Sequence, residues 1–208
     1  MTPAAPYAIT AADVAAAAER IAPFIRRTPC MPCDALSEAA GRPAWVKCES
    51  MQRTGSFKFR GATNAVRSIA AADAARGVVT HSSGNHALAL AVAARERGMP
   101  AYVVMPANAS PAKREAVERA GAQVTTSGNS GAEREATARD VQRRTGATMV
   151  PPYDHPWVMA GQGTIAPEVL AQCPEAATLV VPVGGGGLIS GIAIAAKAAR
   201  PDLRIVGA

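Results

Sequence analysis

The chain has 208 residues, 49% hydrophobic and 18% charged, which excludes a disordered chain of low hydrophobicity and high net charge. Four cysteines are too few for a disulfide-dense scaffold, and no apolar run reaches the roughly 18 residues of a membrane span. The net charge of +6 raises nucleic acid as a partner, but the basic residues are scattered in ones and twos and aromatics are only 4%, so neither a basic track nor a stacking platform is visible.

Alanine fills 48 of the 208 positions, roughly three times an ordinary share, and arginine outnumbers lysine 18 to 4. An anionic small ligand fits this positive balance. Residues 1–10 carry no basic residue ahead of an apolar stretch, so no signal peptide is expected and the location is expected to be cytoplasmic. Thr10, with Asp13 three residues on, reads as the N-cap of an Ala-rich helix. From Gly77 the chain alternates. Strands are predicted over 78–81, 101–105, 123–126, 148–150, 178–183 and 203–206. Helices are predicted over 85–97, from Ser110 through 120, and over 132–144, 158–171 and 188–199, the fourth with a Gly-x-Gly interruption. Short strands alternating with such helices define βαβ units and a parallel sheet. Leu179, Val180 and Val181 are apolar at successive positions, which predicts a strand buried on both faces.

Three motifs carry chemistry. The first is the run 49–62, with Thr54, Gly55 and Ser56 ahead of Phe57, Lys58 and Phe59. An apolar setting lowers a lysine's pKa and makes its amine nucleophilic; the competing reading is a surface lysine beginning a helix. The second is Ser82, Ser83, Gly84, Asn85 and His86, at a strand-to-helix turn. Its backbone N–H groups can hold a carboxylate or phosphate, or Ser83 or Asn85 can simply cap the helix. The third is Gly184, Gly185, Gly186 and Gly187, between a strand and a helix. Four glycines cost conformational entropy, and bare backbone approaching a phosphate accounts for them. The run has neither the dinucleotide G-x-G-x-x-G spacing nor a Gly-Lys-Ser/Thr sequel. Cys30 and Cys33 have C-x-x-C spacing without a second pair, so no metal is expected and a redox role is the alternative. His81 and His155 lack the matched Asp and Ser of a hydrolase triad.

Taken in order, residues 49–62, 80–86, Ala160-Gly161-Gln162-Gly163-Thr164 and 181–187 resemble the fold-type II pyridoxal-phosphate enzymes, in particular the threonine/serine dehydratase and serine racemase group. The resemblance runs from about Ile21 to Ala208. It implies an α/β fold with two doubly wound open-sheet domains, as in the β subunit of tryptophan synthase. A large domain would combine 1–70 with 151–208, and a small one would span 79–150. It implies that Lys58 holds the cofactor covalently and moves the Cα proton. Asn85 would bond the cofactor's ring hydroxyl and Gly184 to Gly187 its phosphate. Ser82, Ser83, Gly84, Asn85 and His86 would hold the substrate carboxylate, with Ser83 as second acid/base.

The implied reaction is removal of water and ammonia from L-threonine or L-serine to give a 2-oxo acid. Serine racemase and hydroxyectoine-pathway dehydratase activities are alternatives, and so is a non-catalytic remnant. The implied partners are a small amino-acid substrate and, for a complete chain, a second copy of itself; composition suggests no nucleic-acid or membrane partner, and no metal site is expected within residues 1–208. Members of the group continue beyond the strand at 203–206, so the large domain is expected to be incomplete.

Overall fold

The computed structural model describes residues 8–208. Most of the stretch read for a signal peptide lies outside the described residues. Helix α1 (Ala11–Ile21) starts at Thr10 with the predicted capping box: Asp13 N–H donates to Thr10 Oγ1, and Thr10 N–H donates to Asp13 at 2.7 Å. Then follow β1 (Cys30–Pro32), α2 (Asp34–Ala40), β2 (Trp45–Lys47), a 3₁₀ turn (Glu49–Met51), α3 (Lys58–Ser68) and α4 (Ala71–Ala74). β1 and β2 form an antiparallel pair. None of the elements in this stretch was predicted beyond a helix starting at Lys58.

The alternating half begins with β3 (Val78–His81), α5 (Asn85–Glu96), β4 (Ala101–Pro106), α6 (Pro111–Arg119), β5 (Gln123–Ser127), α7 (Gly131–Thr145) and β6 (Thr148–Met149). Each predicted element is present within a residue or so at either end. The four strands form one parallel sheet in the order β5-β4-β3-β6. Alternation along each strand divides the core. Val78 and Val103 pack with Leu90 and Ala93 of α5 and with Phe59 and Val66 of α3. Val79 and Val104 pack on the other side with Ala138 and Val141 of α7. Both faces of the central strands β3 and β4 are therefore covered, which is why they are almost wholly apolar, whereas the edge strand β5 exposes Gln123 and Thr126.

The rest comprises α8 (Pro156–Gly163), α9 (Ile165–Gln172), β7 (Thr178–Val181), α10 (Gly187–Ala199) and β8 (Arg204–Gly207). Two expectations are corrected here. The helix predicted over 158–171 is two helices that break at Thr164. Pro167 in the first turn of α9 has no N–H to give the Gly163 carbonyl, so the ladder cannot run through. Strand β7 is not buried on both faces. Among the described residues it pairs only with β8, and Val180 is 66% exposed.

Helix α8 separates the two helices that carry the first and third motifs. A Cβ on Gly161 would come within 2.6 Å of Gly61 Cα in α3, and one on Gly163 within 2.7 Å of the Gly191 carbonyl in α10. The two glycines of the Ala160–Thr164 motif thus let α8 lie backbone to backbone against α3 on one side and α10 on the other.

Candidate active site

Lys58 is the first residue of α3, and no side chain caps that helix. The lysine is half-buried. Its Nζ donates to the Pro152 carbonyl at 2.6 Å and sits 5.2 Å from the centroid of the Phe57 ring. Burial lowers its pKa below the usual lysine value. Lys58 therefore begins a helix, as the simpler reading had it, but its amine is held by the protein rather than by water. Close by in the chain, the Thr54 and Ser56 hydroxyls are buried with no hydrogen-bond partner among the described residues.

Two residues on, Arg60 is fully buried. Its guanidinium bonds both carboxylate oxygens of Glu49 and both of Glu168, and the Thr164 hydroxyl at 3.2 Å. Lys47 Nζ bonds Glu168 at 2.6 Å and the Thr28 carbonyl. Two cations and two carboxylates balance. Burial works against the Arg60 charge, and the two glutamates more than restore it. Burial likewise pulls the Glu168 carboxyl upward, but Arg60 and Lys47 outweigh it and hold it below its usual value. The cluster ties the start of α3 to residues 28 and 47–49 and to α9. Neither Arg60 nor Glu168 was singled out in the sequence; they lie 108 positions apart.

The second motif lies at the carboxyl end of β3. Ser82 N–H donates to the Val104 carbonyl, and Ser82 Oγ accepts from Gly84 N–H at 3.3 Å. The N-cap of α5 is Gly84, without a capping side chain. Capping by Ser83 or Asn85 is thus not what the turn provides. Both are exposed, and their side chains make no hydrogen bond among the described residues. The first amides of α5 are left for another acceptor. His86 differs from its neighbours: its ring is buried and meets the Val150 carbonyl through Nε2 at 3.0 Å. Burial drives its pKa down to about 4, so it is neutral at pH 7.

The third motif links the end of β7 to α10. Gly186, at φ +82°, is the N-cap of α10, again without a capping side chain. A Cβ on Gly185 would lie 2.1 Å from the Tyr153 ring, and one on Gly187 2.5 Å from the Tyr153 carbonyl; over Gly184 and Gly186 the space is open. The loop is seated on Tyr153 by alternate residues and free on its other side.

The segment 150–153 therefore joins the three motifs. Val150 O meets His86, Pro152 O accepts from Lys58, and Tyr153 underlies the glycines. In the sequence, Pro151 and Pro152 mark only the end of the strand at 148–150. The structure brings Lys58, His86, Gly185 and Gly187 together through this strap, while Ser82, Ser83, Gly84 and Asn85 join them through the turn that His86 anchors. Among the four free cysteines, the Cys30 thiol is pushed up to about 11 by burial and by Cys173 beside it. Its thiol neighbour across the fold is thus Cys173, which was not the predicted redox partner.

A pKa-lowered lysine beside a glycine-rich loop and an open helix N-terminus defines a site for a carbonyl compound that carries an anionic group. The family described as "Pyridoxal-phosphate dependent enzyme" matches residues 21–208, and the chain belongs to it. Serine racemase of Arabidopsis thaliana is 47% identical over 202 residues, 97% of this chain and 61% of that protein. β-Hydroxyaspartate dehydratase of Paracoccus denitrificans is 47% identical over 202 residues, 97% of this chain and 64% of that protein. The structure of maize serine racemase superposes with a TM-score of 0.94 at 44% identity, over 97% of this chain and 61% of that one. This chain thus spans about three fifths of the length of these relatives. The fold is that of the fold-type II enzymes, whose cofactor is pyridoxal phosphate. The residues present fit that group: an amine kept less basic by burial, open space over Gly184 and Gly186, and unpartnered buried hydroxyls at Thr54 and Ser56.

Proposed function

We propose that the chain forms the pyridoxal-phosphate site of an enzyme that moves the Cα proton of a small β-hydroxy amino acid, serine or 3-hydroxyaspartate. The observation that carries this reading is Lys58: half-buried, less basic than a surface lysine, and held on the same strap that seats the glycine-rich loop. The names of the relatives, serine racemase and β-hydroxyaspartate dehydratase, support this substrate class over L-threonine. The cofactor, when bound, supplies an electron sink for the charge that develops at Cα.

The chain's own residues do the rest. Gly184 to Gly187 and the first amides of α10 bind the phosphate. The turn at Ser82, Ser83 and Gly84, with the open amides of α5, orients the substrate carboxylate. Asn85 offers its side-chain amide to the ring hydroxyl. Lys58 Nζ takes the Cα proton. When Ser83 Oγ returns a proton to the other face, the product is the inverted amino acid. When the β-hydroxyl instead leaves as water, the enamine released takes up one water, giving a 2-oxo acid and ammonia. Proton transfer by a positioned side chain contributes about 10²–10⁴-fold, so Lys58→Ala should abolish both outcomes within detection.

The test is borohydride reduction of the chain after incubation with pyridoxal phosphate, followed by peptide mapping and assay of L-serine, D-serine and 3-hydroxyaspartate. Label confined to Lys58, with turnover that Lys58→Ala lacks, is the expected result. Label spread evenly over Lys47, Lys113 and Lys197 as well would overturn the assignment.

A further inference from the structure

We infer that the His86 side chain is a positioning group for Lys58, acting through the 150–153 strap rather than by binding substrate. The inference rests on the reading of Lys58 given above. The Val150 carbonyl can only accept, so His86 Nε2 carries the ring proton and donates it across 3.0 Å. Nδ1 then holds a lone pair, and it is buried with no partner among the described residues. The ionisable groups that act on His86 are Lys58 on α3 and His81 at the end of β3, and both favour its neutral form. A buried, neutral ring offers no charge to a carboxylate. Its one bond goes to the strap.

Beyond the packing of Val150 in the core and of Tyr153 under the glycines, the strap has few hydrogen bonds to hold its place. Pro151 and Pro152 have no N–H to donate. Among the described residues, its anchors are Val150 N–H to the Val79 carbonyl, Val150 O to His86, Pro152 O to Lys58, and Tyr153 O, which accepts from His155 N–H. Among the described residues, His86 is the only side chain that hydrogen-bonds Val150, whose own side chain is packed in the core. Two ring-locked residues lie between that carbonyl and Tyr153, so a shift at Val150 passes stiffly to Pro152 O. Without that acceptor, an ammonium on a flexible stem turns to water, where its charge is better solvated. The amine then recovers the basicity of a surface lysine, and Tyr153 shifts under Gly185 and Gly187.

The test needs no cofactor, so it stands apart from the borohydride experiment. Trace acetylation with acetic anhydride across a pH series, read by peptide mapping, gives the midpoint of Lys58 beside the exposed Lys113 and Lys197 in the same digest. In the parent chain the Lys58 midpoint should lie below theirs. His86→Leu should raise it toward theirs, because the amine then faces water. His86→Gln, whose amide can donate to the Val150 carbonyl from the same place, should return it to the parent value. Should the leucine form fail to fold, His86→Asn, with an amide too short to reach Val150, carries the same expectation. A folded leucine or asparagine form with an unchanged or lower midpoint overturns the inference, and so does a folded glutamine form whose midpoint is raised.

Discussion

At the scale of single residues, the glycines of the 184–187 run are not equivalent, and the difference is measurable. Gly185 has no room for a side chain, because its Cβ would overlap the Tyr153 ring at 2.1 Å. Gly184 has nothing within 4 Å of the same position. Gly185→Ala must push Tyr153 aside, and overpacking of this kind costs about 1–3 kcal/mol. Gly184→Ala adds a methyl group only to the open side of the loop, so thermal unfolding should match the parent. It should nonetheless weaken pyridoxal phosphate binding, because that open side is where a phosphate would approach bare backbone. Melting curves and equilibrium dialysis of the two variants separate the roles. A destabilised Gly184→Ala beside a parent-like Gly185→Ala would contradict the seating on Tyr153. The run stood out from its composition alone, as a stretch of bare backbone ahead of a helix. That only alternate members are free was not legible there, because it depends on a tyrosine more than 30 positions away in the chain.

At the scale of elements, the contacts of α8 set the distance between Lys58 and the glycine loop. Gly163 and Gly191 bring α8 and α10 into backbone contact, and a Cβ on Gly191 would lie 2.1 Å from the Met159 carbonyl. Here the neighbour is backbone, which cannot swing away as a side chain can. Gly191→Ala should therefore cost at least as much as Gly185→Ala, about 3 kcal/mol, and should also separate α10 from α3. Chemical denaturation gives the first quantity. The second should appear as loss of cofactor binding even where the variant remains folded; full binding by a folded Gly191→Ala would contradict this spacing role. The sequence made β3 through β6 easy to read, because Gly98, Pro106, Gly121 and Gly146 punctuate runs that fit one period or the other. It did not reveal β1, β2 and α2, which are three to seven residues long and rest on contacts from elsewhere. Lys58 stood out because four lysines are few. Arg60 did not, because one arginine among eighteen acquires meaning only when Glu49 and Glu168 meet it. Pro152 was invisible as a partner of Lys58, since a carbonyl acceptor leaves no mark on residue type.

For the whole molecule, the buried histidine and the buried ion cluster together predict how stability falls with acid. His86 is held near a pKa of about 4 in the fold, against 6.5 when free. Between those values the unfolded chain binds a proton that the native chain does not, so native stability declines as pH drops from 6.5 toward 4. The size of that shift corresponds to about 3 kcal/mol, a large part of the 5–15 kcal/mol that ordinary domains possess. His81 and His155, both lowered mainly by burial, act in the same direction. Glu168 works through the other sign of group and extends the decline. Its pKa is lowered in the fold, so its contribution is intact above 4.5 and is lost as pH falls through its folded value. Urea midpoints should thus fall steadily from pH about 7 to about 4.5 and more steeply below. His86→Gln cannot titrate and keeps a donor for Val150, so it should flatten the upper part of that curve and leave the lower part alone. A parent chain whose midpoint is level across the upper range would mean that His86 takes up its proton inside the fold, and the neutral ring donating to Val150 would then be wrong.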